Sequence, residues 1–587
     1  MGEGGLVSVD RVDAVVVGLG AVGGIVAEKL ASAGLRVVGI EKGARYDDED
    51  FRLKHDEVRY YARSAIAPSM SDDPITWRAT ERDTAVVLPW SAGPLGVDEP
   101  LFGMPSIGTG GGTLHWGGAS FRFPEAEFRM RSAIEERFGS KALPGDTTLV
   151  DWPMSYADLE PYYDRVEWEQ GISGAAGNVR GELRPGGNPF EAPRSRDFPM
   201  PPLRRAPGDK AFADACSRLG YHPYPIPAAI NSVPYRGRAA CTHCGFCHGY
   251  PCHVGAKSST HVTSLPVALA TGNLEIRPHS RVIQVNRHEA DGRVRGVTYL
   301  DADGARRELE ADIVVLACYV LDNTRLALLS GINGSGQVGR NFMTHNFGWF
   351  NGVLPEDANP FVGTLVAGSA VDDIGGDRIP DNDEGVLWGS PIVGFPTDIQ
   401  PMEAVHTMNP AAPRWGPGFK EWLRTNYRRL FRMYTQTTNF PSPRHYCDLD
   451  PNVKDPWGLP ALRITHDWDD HDARSVEYFS AVKRRIAEEM GVHEFWEHDS
   501  RPFYHLSTHE TGLHRMGEDP AASVVDPYGE SHECKGLWVL GGGQFPSYGG
   551  YNPTQTIQAL AYWAVDHLLE SRGATMEPAV SSRADGV

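Results

Sequence analysis

Two histidines, His509 and His514, fall within the stretch His509-Glu510-Thr511-Gly512-Leu513-His514-Arg515-Met516-Gly517. An imidazole titrates near neutral pH, so either could act as a general base. Downstream, Gly541-Gly542-Gly543-Gln544-Phe545-Pro546 and Gly549-Gly550-Tyr551-Asn552-Pro553-Thr554 lead into an apolar helix expected over Gln555–Leu569. Asn552-Pro553 has the form of an N-cap followed by proline at the first helical position. The free N–H groups and positive dipole end of such a helix would face whatever lies outside. A base and an amide that hold one oxygen between them are a minimal set for removing a hydroxyl proton as hydride leaves its carbon. The alternatives are an ordinary capped helix and histidines that only hydrogen-bond within the fold.

The opposite end of the chain carries Gly18-Leu19-Gly20-Ala21-Val22-Gly23. It stands between a valine-rich run, Asp13–Val17, and a stretch of helical composition, Ala21–Ala33; a second strand, Arg36–Ile40, ends at Glu41. This is a βαβ pattern. Gly18 permits a tight turn, Gly20 lets the backbone approach a pyrophosphate, and Gly23 lets the helix pack on the strand. The helix N-terminus offers N–H groups to phosphates, and Glu41 stands where a carboxylate accepts from ribose hydroxyls. The pattern predicts a dinucleotide site without choosing between FAD and NAD.

These residues need elements to hold them. Ile107–Gly118 is glycine-rich, and a helix-like stretch follows around Ser155–Gly171. Gly177–Gly208 reads as an excursion rich in Pro, Gly and Arg. Strands are expected at Glu275–Arg277, Val282–Asn286, Val297–Leu300 and Ile313–Ala317, and a helix at Arg474–Met490. Asn341–Pro441 shows little period and is expected to form the substrate-side lobe. The last residues, 573–587, read as a disordered tail.

Composition narrows the function. The chain has 587 residues, 41% hydrophobic and 22% charged, which suits a soluble globular protein of two intertwined parts. Its net charge of -20 argues against a nucleic-acid partner. No apolar run is long enough to span a membrane, and Met1–Asp10 lacks the features of an export signal. The expected location is the cytoplasm, with periplasmic co-export beside a signal-bearing partner as the alternative.

Read together, the motifs resemble the glucose–methanol–choline oxidoreductases. The resemblance rests on the N-terminal fingerprint, Gly108–Gly118 with His115-Trp116, Val338-Gly339-Arg340-Asn341, His509–Gly517 with Asp519-Pro520, Ser523-Val524-Val525-Asp526, and Phe545-Pro546 through Asn552-Pro553-Thr554. It implies an α/β (α+β) fold, in which a Rossmann-like FAD-binding domain is interleaved with a substrate-binding domain on a mainly antiparallel sheet. The FAD domain would comprise 10–50, 100–125, 240–345 and 500–572; the substrate or cover domain would comprise 50–100, 126–240 and 346–500. His509 matches the base and Asn552 its His-or-Asn partner, whereas His514 matches a structural position. Gly18, Gly20, Gly23, Glu41, Gly111, Gly112, His115, Trp116, Val282, Gly542, Pro553 and Thr554 are the implied cofactor-binding residues. Thr113-Leu114-His115-Trp116 is similar to sugar-oxidising members, including pyranose 2-oxidases and the flavoprotein subunits of gluconate and fructose dehydrogenases. In several of these the matching histidine carries FAD covalently; the other reading of His115 is a buried side chain packed beside Trp116. The chain departs from the family at Tyr319, where small residues are usual, and at Thr435–Pro441, which lacks a common acidic residue.

Cys241, Cys244, Cys247 and Cys252 crowd ahead of His253-Val254-Gly255-Ala256-Lys257. Four thiols at this density suit an iron–sulfur cluster or zinc, or are simply free. Related dehydrogenase subunits hold a three-iron cluster in a similar segment. The implied activity is oxidation of a secondary hydroxyl of a sugar, sugar acid or glycoside to a ketone, with His509 as base and hydride passing to flavin N5. Electrons would leave through a cluster to a small subunit, cytochrome or quinone. The alternatives are an oxygen-using oxidase of sugars or bulky lipophilic alcohols, and a non-catalytic electron carrier.

Overall fold

Valine-rich sequence builds the first strand, β1 (Asp10–Val17), which turns through glycine into α1 (Ala21–Ser32) and returns as β2 (Val37–Ile40). The computed structural model describes residues 10–52, 56–62, 66, 72–88, 106–497 and 507–573, so the expected tail lies almost wholly outside it. Further on come β3 (Leu274–Arg277), β4 (Arg281–Arg287), β5 (Val294–Leu300), β6 (Arg306–Leu316) and α2 (Val320–Leu329). They are followed by β7 (Asn346–Val353), β8 (Ile392–Phe395), β9 (Leu430–Thr437), α3 (Asp470–Glu489) and β10 (Glu494–Glu497). The chain closes with β11 (Leu537–Val539) and α4 (Thr554–Ser571).

One sheet has seven strands in the order β3-β2-β1-β6-β5-β4, with β11 also paired to β6. Neighbours among β3, β2, β1, β6 and β11 are parallel, whereas β4, β5 and β6 form an antiparallel meander. Ala14–Val17 and Ile313–Leu316 are buried, as strands covered on both faces require. Among the described residues no helix is long and apolar enough to cross a membrane.

A second sheet has six strands, with β10, β7, β9 and β8 followed by Ser369–Val371 and Tyr224–Pro225. Every pairing in it is antiparallel. The sequence shows little period here because this sheet is covered on both sides; all of β9 is buried. Phe350, Ile392, Phe431 and Met433 pack with Phe479, Val482 and Ile486 of α3. The alternate positions, Phe347, Trp349, Phe395 and Tyr434, line a cavity on the other face.

Glu127 is buried behind the loop that leads to Asn552. The Trp388 indole N–H donates to its Oε1 at 2.9 Å, and a Cβ on Gly549 would stand 1.9 Å from that oxygen. Burial pushes its pKa from 4.5 up to about 8. The folded state therefore keeps this proton while the unfolded chain releases it, and stability is lost as pH rises from 4.5 through about 8. Glu127→Gln keeps the acceptor for Trp388 and cannot ionise. Thermal melts should show the variant gaining on the parent across this window, with no gain at pH 4; parallel melting curves would contradict a buried neutral carboxyl.

Candidate active site

The carboxyl ends of β1, β2, β6 and β11 open into a cavity of about 360 Å³, where Val17, Ile40, Ala317 and Leu540 form part of the wall. Crevices at such strand ends are where open parallel sheets bind ligands. Glu41, just past β2, is buried there. Its Oε2 accepts from the Leu19 N–H at 3.0 Å, and its Oε1 from the N–H groups of Gly43 and Gly108 at 2.9 and 3.0 Å. The sequence suggests a ribose acceptor; the fold also makes this carboxylate the tie between three turns.

Those turns meet through glycine surfaces. Gly110 N–H donates to the Leu19 carbonyl at 2.9 Å, and a Cβ on Gly111 would lie 2.8 Å from Gly20 Cα. Gly18 has φ +83°, which only glycine adopts readily. Gly23 is not part of the cavity wall: a Cβ there would stand 1.8 Å from the Gly18 carbonyl oxygen, so it serves the contact of α1 with the turn. Gly20, Ala21 and Val22 line the cavity, and the first turn of α1 has no acidic residue to offset its dipole. Further along the wall come Gly111, Gly112, His115, Trp116 and Val282, then Gly542, Pro553 and Thr554. The Trp116 indole nitrogen is buried without a partner. An anion-favouring helix end, close-approach glycines and an orphaned indole N–H along one cavity fit a dinucleotide as long as FAD.

His509 and Asn552 both line the far part of this cavity. Burial, with a smaller push from His248, lowers the His509 pKa to about 3, so its imidazole is neutral. His514 is absent from the wall; it is buried against Gly543 with both ring nitrogens unpartnered. Asn552 is not the N-cap expected from Asn-Pro. The helix starts at Thr554, with Pro553 before it, because the Asn552 side chain is taken elsewhere. Its Oδ1 accepts from Gln436 Nε2 at 3.0 Å and from the Tyr434 hydroxyl at 3.2 Å. That leaves its Nδ2 as a donor to offer. Tyr319 lines the cavity with φ +86°, and its hydroxyl hydrogen-bonds Glu510, whose pKa burial pushes up to about 8.

Several residues here escape a sequence reading. His345 is 3.1 Å from His509, Nδ1 to Nδ1. Phe347 lies opposite Gln436, and Trp349 opposite Tyr434, across β7 and β9. Trp349 and Tyr434 stack with centroids 5.1 Å apart, and Tyr434 and Phe395 with centroids 4.6 Å apart. The available signal was alternation: Phe347 and Trp349, like Tyr434 and Gln436, are two apart and so share a face. His248, from the cysteine-rich segment, completes the wall beyond His115.

Cys241, Cys244, Cys247 and Cys252 are free thiols. Their segment packs on the cavity wall, with Gly249 N–H donating to the His115 carbonyl at 2.7 Å. The buried Lys257 ammonium donates to the carbonyls of Trp116, Cys247 and Tyr250 at 3.0, 2.7 and 2.8 Å. Arg238 donates to the carbonyls of Gln170, Gly255 and Ala256 and to the Ser258 hydroxyl. Burial lowers the Arg238 pKa to about 10 and raises that of Cys241 to about 11. Among the described residues no three Cys, His, Asp or Glu side chains gather as a metal ion requires.

Two profiles of the GMC oxidoreductase family match this chain, over residues 151–347 and 441–561. The gluconate 2-dehydrogenase flavoprotein of Pantoea cypripedii is 35% identical, over 97% of this chain and 95% of that one. The fructose dehydrogenase large subunit of Gluconobacter japonicus is 27% identical, over 95% and 97%. The crystal structure of pyridoxine 4-oxidase from Mesorbium loti superposes with a TM-score of 0.59 at 16% identity, covering 95% of this chain and 99% of that one, which shows a common fold. With both profiles matched and a relative 35% identical over nearly the whole chain, the chain belongs to the GMC oxidoreductase family and is an FAD-dependent oxidoreductase of CH–OH groups.

Proposed function

We propose that this enzyme oxidises a secondary hydroxyl of a sugar, sugar acid or glycoside to a ketone. The observation that carries the reading is the pairing of a neutral imidazole, His509, with an amide whose oxygen is already occupied, Asn552. Asn552 Nδ2 donates to the substrate oxygen and holds it as negative charge develops there. His509 takes the hydroxyl proton. Bound FAD supplies the acceptor for the hydride that leaves carbon. The stacked wall of Phe347, Trp349, Tyr434 and Phe395 offers a flat apolar surface to the C–H face of a sugar ring. Similarity to proteins named for gluconate and fructose supports this substrate class. Their names, a flavoprotein and a large subunit, also support a partner subunit for this chain.

A second reading concerns the electron acceptor. Lys257 and Arg238 direct their donors at backbone carbonyls and the Ser258 hydroxyl beside four thiols, with Asp48 as the carboxylate that acts on Arg238. Such a setting favours a negatively charged occupant, which an iron–sulfur cluster on thiolates would be once the cysteines close around it. Without a cluster, oxygen is the acceptor to test first.

Three outcomes follow. His509→Ala should slow flavin reduction by sugars by about 10²–10⁴-fold in stopped-flow traces; a near-normal rate would remove His509 as base. His115, in the cavity wall, is proposed as a covalent attachment point, so flavin should remain with acid-precipitated protein, and flavin free in the supernatant would exclude the bond. Protein purified without oxygen should contain iron and acid-labile sulfide; their absence would leave the four cysteines a structural role.

A further inference from the structure

His345 is buried between the cavity wall and the Gly549 loop. Its Nε2 lies 2.6 Å from the Gly549 carbonyl oxygen. A carbonyl only accepts, so Nε2 carries the proton. Burial, reinforced by neighbouring His509, holds this imidazole well below the usual histidine range, so it is neutral and its Nδ1 presents a lone pair. Two groups approach that nitrogen: His509 Nδ1 at 3.1 Å and the Tyr548 hydroxyl at 3.0 Å. The lone pair lies in the imidazole plane. Tyr548 stacks on His345 with centroids 3.9 Å apart and planes only 16° apart, which puts its hydroxyl above that plane. The His509 and His345 planes lie at 79° with centroids 5.3 Å apart, close to the greatest separation that a 3.1 Å contact between ring nitrogens permits, so the Nδ1–H of His509 can approach along the lone pair.

We propose that His345 is the positioning residue that fixes the tautomer of His509. The Nδ1 of His509 carries the proton and donates it in a hydrogen bond to His345 Nδ1. The Nε2 of His509 is thereby left bare for the substrate. In the opposite tautomer Nε2 would carry a hydrogen and could not take one from a hydroxyl. This rests on the reading of His509 as base. In the step itself the substrate O–H bond would break and the His509 Nε2–H bond form, the freed oxygen pair would complete the C=O bond, and the C–H pair would leave as the hydride that bound FAD would accept.

The surroundings suit this assignment. Ser507 Oγ accepts from the backbone N–H of His345 at 3.3 Å and of His509 at 2.9 Å, so one hydroxyl pins both rings to adjacent chains. Met343 and Thr511 exchange backbone hydrogen bonds at 3.1 and 2.9 Å on the same two segments. The other titratable groups near the pair are His248, Tyr548 and Glu510, and the Glu510 carboxyl is engaged by Tyr319.

Flavin-loaded His345→Phe and His345→Asn variants, compared with the parent and His509→Ala, test the idea. Phenylalanine keeps a ring against Tyr548 and loses the acceptor; asparagine can place an oxygen near the position of Nδ1. Stopped-flow titration with a reacting sugar gives the limiting rate of flavin reduction and the substrate Kd separately. His345→Phe should lose about 10²–10⁴-fold in rate with little change in Kd, and His345→Asn should recover most of it. A fast Phe variant, or an Asn variant as slow as Phe, would overturn the proposal. If His345→Phe does not hold flavin, His345→Asp decides. A carboxylate facing His509 Nδ1–H should move the acid limb of the rate profile to higher pH, and an unmoved limb would overturn the proposal. A fast His509→Ala would instead sink the base assignment itself, whatever His345 does.

Discussion

One buried carboxylate sets the geometry on which the cofactor side of this enzyme depends. Glu41 accepts three backbone N–H groups that come from three separate turns. Glycine turns have little side-chain packing to hold them, and their backbone entropy is costly to freeze. Hydrogen bonds to one side chain offset part of that cost, because its two oxygens take all three donors at once. With the turns tied, Gly111 comes so near Gly20 that a Cβ on Gly111 would lie 2.8 Å from the Gly20 Cα.

The reacting end is held by a different logic. It is assembled from side chains on the antiparallel sheet, on the segment crossing beside Met343–His345, and on the loop entering α4. Close packing and hydrogen bonds link these sources in series: Glu127 packs against Gly549, the Gly549 carbonyl accepts from His345, and His345 meets His509. Asn552 is fixed from the sheet by Tyr434 and Gln436. Such networks hold reacting groups within a narrow geometry when each member is satisfied.

Much of the cofactor side was legible in the sequence, since a glycine spacing followed by an acid encodes a turn, a helix start and a strand end in one short run. Gly18, Gly20 and Glu41 announce themselves locally. The substrate side was less so. β7 and β9 are covered on both faces, so the alternation that marks a strand is hidden, and the partners of His509 and Asn552 come from remote parts of the chain. Asn552-Pro553 shows the limit of local rules. The dipeptide reads as a helix cap, but two donors from the neighbouring sheet take the amide oxygen, and Pro553 stands at the N-cap instead. The cysteine spacing is legible locally, but the approach of Lys257 and Arg238 to that segment comes from the fold.

The central strands of the antiparallel sheet present two faces. Residues on one face pack on α3, whereas those between them line the cavity and are themselves core, with Phe395 and Tyr434 buried and stacked on each other. Reshaping the substrate wall therefore removes packing at the same residues. A lineage that exchanges them to reach another substrate must recover the lost stability elsewhere in the fold.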